Sequence, residues 1–216
     1  MPNPRLSFPV GNSYPAGEVK PPGDNIPTGP SEALGERERK TLLELARCSL
    51  VAYFQQTVPE LPAGADHVLS RKQGCFVTLV RRGALRGCVG NVVPRLPLCQ
   101  AVIENARSAA FNDSRFPPLE RNELEEIRIE ISVLSPPVNL QWKSVDELIR
   151  QIRPRVDGVF LQVGGQVSTF LPKVWEKLPA PVDFMNSLAR KSGLCAEAWR
   201  DPSAVVSVYQ AECFTE

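Results

Sequence analysis

The chain has 216 residues, 43% of them apolar and 23% charged, enough to bury a core and ordinary for a protein in water. Its 25 basic and 24 acidic side chains nearly cancel, so no charge excess supports tracking of a phosphate backbone, and a nucleic-acid partner is not expected. No run approaches the roughly 18 apolar residues of a membrane span, and Met1-Pro2-Asn3-Pro4-Arg5 lacks the apolar stretch of a secretory signal, so a cytoplasmic protein off the membrane is expected.

Residues 1–35 hold eight prolines and five glycines among few large apolar groups, too little burial to offset the entropy of ordering them. They read as a Pro/Gly-rich disordered tail, and residues 36–216 as the folded domain. Leu42, Leu45, Ala46, Ser49, Leu50 and Tyr53 then recur at helical spacing opposite Arg37, Arg39, Lys40, Glu44 and Arg47, which predicts an amphipathic helix. After a Pro-, Gly- and Ala-rich loop, residues 75–80 read as a strand, Arg82-Gly83 as a hairpin turn and residues 84–92 as the returning strand. Pro94 and Pro97 stop it, and Leu98, Ala101, Val102, Ala106 and Ala109 mark a helix with small residues on its buried side. A loop at 111–118, a helical turn at 119–126 and an alternating strand at 127–134 complete this half.

The second half repeats the order. Ser144-Val145-Asp146-Glu147 has capping-box form and opens a helix to about Ile152. Residues 159–163, Gly164-Gly165 and residues 166–171 form a second hairpin, helical segments follow at 174–178 and 182–191 with Gly193 as C-cap, and residues 205–211 form a last strand. Gly74 and Gly158 open the two hairpins 84 residues apart, and Gly83 and Gly165 turn them 82 residues apart. This spacing suggests an internal ββααβ duplication in which Arg86 and Cys88 fall near Ser168 and Phe170.

The most informative stretch, Leu85-Arg86-Gly87-Cys88-Val89-Gly90, lies on the second strand of the first hairpin. Glycines on either side of a cysteine let a ligand approach the main chain, and strand alternation places Arg86 and Cys88 on one face. Arg86 on that face favours the thiolate of Cys88 and makes it a candidate nucleophile; the competing reading is a small packing residue beside tight glycines. His67 is the single histidine and the one imidazole base for such a thiol. Glu130 alternates with Ile129 and Ile131, and Asp113 sits in the loop with Arg115. Both carboxylates are candidates for acid–base work or for structural ion pairs, Glu130 with Arg86 or Arg115. Arg86 and Arg115 are also suited to holding a small anion. Cys48, Cys75, Cys88, Cys99, Cys195 and Cys213 are widely and irregularly spaced, which reads as reduced thiols; neither a metal nor a cofactor is expected.

The 85–90 motif, followed by Ala109-Ala110-Phe111-Asn112-Asp113-Ser114-Arg115-Phe116 and Glu130-Ile131-Ser132-Val133-Leu134, resembles the AMMECR domain family. Gly74-Cys75-Phe76-Val77-Thr78-Leu79, Asp157-Gly158, Phe170-Leu171-Pro172 and Lys191-Ser192-Gly193-Leu194 extend the resemblance over about residues 36–216, with Lys173 standing where the family carries Gln after Leu-Pro. The resemblance implies an α+β fold, a curved, barrel-like mixed sheet with helices outside it. It implies no settled reaction. Small members of the family are discussed as the A component of the AmmeMemoRadiSam set, which implies a Memo-like protein and a radical SAM protein as partners in a modification pathway. The expected site is a cleft for a small molecule or peptide, with Cys88, Glu130 and Asp113 as candidate catalytic residues and Arg86, Gly87, Gly90 and Arg115 as candidate ligand-binding residues. The competing expectation is an interaction module in which the glycine motif is structural.

Overall fold

The computed structural model of the chain describes residues 33–59 and 67–216. The tail at 1–32 and the loop at 60–66 lie outside the described residues. In chain order the elements are α1 (Glu36–Gln55), β1 (Cys75–Arg81), β2 (Ala84–Asn91), α2 (Leu98–Phe111), β3 (Ile127–Leu134), β4 (Val138–Asn139), α3 (Val145–Gln151), β5 (Gly158–Val163), β6 (Gln166–Phe170), α4 (Pro181–Lys191), β7 (Val205–Tyr209) and β8 (Ala211–Thr215). Short 3₁₀ turns occupy Arg121–Glu126, Pro172–Glu176 and Ala198–Arg200. The fold is α+β, and every strand pairing is antiparallel. The expected barrel-like sheet is realised as two open four-stranded sheets, β2-β1-β3-β8 and β4-β7-β5-β6. Among the described residues no helix is long and apolar enough to cross a membrane.

The chain divides into two compact units, one holding α1 through β3 together with β8, the other running from β4 through β7. In the first unit, α1 buries Leu42, Leu45, Ala46, Ser49 and Leu50, the stripe expected from its spacing, and Glu36 and Glu38 lie in its first turn, where they complement the helix dipole. Leu34, placed by sequence in the tail, is only 4% exposed and joins this core, while Tyr53 is 44% exposed and stacks on Phe111 instead. The inward residues Cys75, Val77 and Leu79 of β1 and Ile129 and Ile131 of β3 meet Val102, Ala106 and Ala109 of α2. The hairpin turn has Arg82 at φ 52° and Gly83 at φ 79°, the paired left-handed conformation that matches strand twist.

The second unit is built around aromatic residues. Trp175 stacks on Phe184 with ring centroids 3.7 Å apart, and Phe170, Leu188, Trp199 and Val206 close around them. Ser144 caps α3 by accepting the Glu147 N–H, as its spacing predicts, but the Glu147 carboxylate returns to the N–H of Lys143 rather than to that of Ser144. Gly193 takes φ 82° just past α4 and donates its N–H to the Arg190 carbonyl.

The two units share one order of hairpin, helix and third strand, and the strand sequence β8-β3-β1-β2 matches β4-β7-β5-β6. Each sheet takes its fourth strand from the segment that follows the other unit's third strand: β4 follows β3 but pairs with β7, and β8 follows β7 but pairs with β3. The run expected as one last strand therefore divides at Gln210 between two sheets. Register refines the repeat. Phe76 faces Gly90 and Ser132, and Phe160 faces Thr169 and Ser207, which makes Val167 rather than Phe170 the counterpart of Cys88.

Gly87 faces α2 at a point where a Cβ would stand 2.0 Å from the Ala109 carbonyl oxygen, whereas a Cβ on Gly165 meets nothing within 4 Å. A Gly87→Ala substitution is expected to cost at least about 1–3 kcal/mol in urea unfolding, because backbone must move to admit it. Gly165→Ala is expected to stay within about 0.5 kcal/mol of wild type.

Candidate functional site

Strand β2 is an edge strand, and its sequence gives it an irregular edge. In the ladder with β1, Gly87 faces Leu79 and Leu85 faces Val80, so Arg86 is an extra, bulged residue. The bulge removes the alternation from which a shared face for Arg86 and Cys88 was expected. The two side chains have different partners. Arg86, 9% exposed, reaches the 3₁₀ turn, where its Nε and Nη2 donate to Glu123 Oε1 and Oε2 at 2.9 and 2.8 Å. Nη2 also donates to the Pro118 carbonyl at 3.3 Å.

Glu123 gathers more donors than any simple ion pair needs. It accepts Arg81 Nη1 at 2.7 Å and the Glu120 N–H at 2.9 Å, the latter as one half of a capping box. The Arg86 guanidinium foremost, then the Glu120 N–H and Arg81, hold its carboxyl at about 2 against the opposing effect of burial. Arg81 and Arg82 also donate to Glu126 at 2.7 and 2.9 Å.

The outward backbone of β2 at Cys88 is closed by the loop after α2. The Cys88 N–H donates to Asp113 Oδ2 at 2.9 Å, and its carbonyl accepts Arg115 Nη2 at 3.3 Å. Asp113 and Arg115 are themselves paired through Nε at 2.9 Å and Nη2 at 2.6 Å. Burial alone would raise the Asp113 carboxyl, but the Arg115 guanidinium and the Cys88 N–H outweigh it and hold the group below the usual carboxylate range. An acid and a base two residues apart thus supply the donor and acceptor that a neighbouring strand would have offered.

The Cys88 thiol is half-buried and accepts a hydrogen bond from the Thr78 hydroxyl at 3.2 Å. Register aligns Cys88, Thr78 and Glu130 across β2, β1 and β3, which puts the three side chains in one row on the sheet face turned away from Val77 and Leu79. Gly90 packs where a Cβ would meet the Phe76 ring at 2.4 Å. The guanidiniums expected for Glu130 lie on other carboxylates, Arg86 on Glu123 and Arg115 on Asp113. His67 Nδ1 accepts from Arg71 at 3.4 Å from Nε, on an exposed surface. Cys75, by contrast, is sealed: burial pushes its thiol up to about 12, against the opposing hydrogen bond from Asn105. Sequence reasoning missed Glu123, Thr78 and Phe116. The Glu120-x-x-Glu123 spacing is a capping-box signal that could have found the first of these.

An open cavity of about 680 Å³ lies elsewhere in the same unit, lined by Arg47, Val51, Arg121, Asn122, Leu124 and Glu125. Arg47 is already engaged there with the Glu216 carboxylate and with the carbonyls of Leu124 and Ile127 at 2.8 and 2.6 Å.

These features define an α+β protein of two like-ordered antiparallel units with a cysteine-bearing edge strand clamped by an Asp-x-Arg pair. The chain belongs to the AMMECR1 family, whose model matches residues 43–214. A protein of Methanothermobacter thermautotrophicus is 35% identical over 189 residues, spanning 85% of this chain and 96% of that protein. Protein MK0488 of Methanopyrus kandleri is 34% identical over 195 residues, spanning 86% of this chain and 91% of its own length. Among solved structures, the uncharacterized protein PH0010 from Pyrococcus horikoshii is similar with a TM-score of 0.75 and 32% identity, covering 81% of this chain and 89% of that one.

Because the Glu123 carboxyl sits at about 2 rather than at its ordinary 4.5, its ion pairs stabilise the fold fully above the ordinary value and are lost as pH falls towards 2. Urea midpoints measured from pH 6 downwards are expected to drop through that window in wild type. Glu123→Gln is expected to start lower and show a flatter acid limb; an unchanged acid limb would count against the network.

Proposed function

We propose that this protein is an accessory component of a cytoplasmic modification pathway, working beside Memo-like and radical SAM proteins, and that it binds and presents rather than turning over a substrate through Cys88. The observation that supports binding over catalysis is the internal use of the charged groups around the motif. Arg86 is spent on Glu123, and Asp113 on Arg115 and the Cys88 N–H. A general base needs a proton acceptor that is not already committed and held below its ordinary range, and Asp113 is both. Gly87 and Gly90 are accounted for by close approach of Ala109 and Phe76. On this reading the glycine motif is a packing device that fixes the edge of the sheet, and the row Cys88, Thr78 and Glu130 is the contact face for a small molecule, peptide or partner.

A second reading is favoured by one contact: the Thr78 hydroxyl donates to the Cys88 sulfur, an arrangement that supports a thiolate. In that case Cys88 is the nucleophile and Glu130, one strand beyond Thr78, the acid or base.

The two separate by experiment. On the binding reading, Cys88 alkylation by iodoacetamide has its midpoint near the free-thiol value of about 8.5, Cys88→Ser still captures a Memo-like protein in a pull-down with the purified full chain, and Glu130→Arg on the same face weakens that capture. A midpoint well below the free-thiol value, with Cys88→Ser retaining capture but losing pathway output, establishes the thiol chemistry instead.

A further inference from the structure

The Arg86 guanidinium carries five donors in a rigid fork, and the side formed by Nε and Nη2 is filled by Glu123 and the Pro118 carbonyl. Its remaining nitrogen, Nη1, is buried and has no hydrogen-bond partner among the described residues. Proteins satisfy buried polar groups with few exceptions, so this charged donor calls for an acceptor, a water or a ligand oxygen, that the described residues do not supply.

Arg81, Arg82 and Arg86 are paired with Glu123 and Glu126, and the Glu120 carboxylate closes the capping box beside them, so the local charges balance and Nη1 is singled out by geometry alone. The neighbouring Asp113–Arg115 pair is internally neutral. An aromatic ring lies over both guanidiniums: the Phe116 centroid is 6.0 Å from Arg86 Cζ and 5.2 Å from Arg115 Cζ. Phe116 is partly exposed and belongs to the irregular segment between α2 and the 3₁₀ turn, outside any regular hydrogen-bonded element.

We infer that Arg86 Nη1 is the seat of an oxyanion, a carboxylate or phosphoryl oxygen of a ligand, admitted when the Phe116 ring turns aside. Glu123 holds the fork in place through its other two nitrogens, so that the free prong is pre-oriented and the ligand need not order it. Phe116 acts as a gate whose closed state reduces apparent affinity by the fraction of time it is shut. The inference goes beyond the binding reading: the Arg86 seat is separate from the row of Cys88, Thr78 and Glu130, and its test uses the isolated chain and is decided independently of partner capture.

The test is a titration of the ¹⁵N-labelled full chain with sodium acetate and, separately, with inorganic phosphate at constant ionic strength, following the arginine side-chain resonances. The Arg86 resonances are expected to shift saturably, and Phe116→Ala is expected to bind at least about fivefold more tightly than wild type as the closed fraction disappears. Preference for acetate assigns a carboxylate ligand, and preference for phosphate a phosphoryl one. Saturable shifts in Phe116→Ala alone also support the site, as a gate nearly always shut. Arg86→Lys, which keeps the charge but loses the fork, is expected to abolish binding. Should that variant fail to fold, the comparison of Phe116→Ala with wild type decides the matter. Absence of saturable Arg86 shifts in both, or equal affinity in both, overturns the proposal.

Discussion

The arrangement of the first unit depends on closing the free edge of one short strand. Strand β2 carries glycine on both sides of Cys88, and its outward N–H and C=O groups at that residue have no neighbouring strand to meet. The Asp113–Arg115 pair meets them, one accepting and one donating, and in doing so ties the loop after α2 to the sheet. Gly87 then lets the Ala109 carbonyl come into contact with the strand, so helix, loop and edge are fixed by the same few atoms. An unprotected edge is a template for pairing with other chains, and here charged side chains cover it. The bulge at Arg86 adds to this protection, since it breaks the regular ladder and turns a guanidinium into the interior.

Glu123 is the second fixed point. Its carboxylate accepts four hydrogen bonds, from Arg81, from Arg86 through two nitrogens and from the Glu120 main chain, and would be costly to bury if any partner were missing. The geometry is good enough that the ionised carboxylate is favoured despite burial. The same reasoning makes the unpartnered Nη1 of Arg86 conspicuous, because it stands beside a network that otherwise satisfies its members.

Chain topology places a different kind of constraint on folding. The first unit is completed by residues 211–216, the last of the chain, whose strand β8 pairs with β3 and whose Glu216 carboxylate binds Arg47 of α1 and the Ile129 N–H. Its edge strand therefore comes from a segment that follows the whole second unit in sequence. Pairings over such separations must offset loop closure before they stabilise anything, which predisposes the fold to slow assembly.

Much of this architecture was written in local pattern. Helical spacing gave α1 and α2, an apolar run before a turn gave β1, alternation gave β3, Arg82-Gly83 and Gly164-Gly165 gave both hairpin turns, and the repeated order of elements gave the internal duplication, because each turn and element depends on residues within a few positions of one another. The family resemblance was legible for the same reason: its motifs are short and ordered. What the sequence left undetermined depends on partners distant in the chain. The change of sheet at Gln210 is decided by the pairing of β7 with β5 and of β8 with β3, although residues 205–211 read locally as one strand. The bulge at Arg86 is decided by the register against β1, and a single added residue redirects a side chain that alternation had placed beside Cys88. Glu123, Thr78 and Phe116 acquire their roles around the motif only when the 3₁₀ turn, the neighbouring strand and the loop are brought to it. Periodicity fixes the face a residue prefers within its own element; hydrogen bonding and packing between elements decide what that face meets.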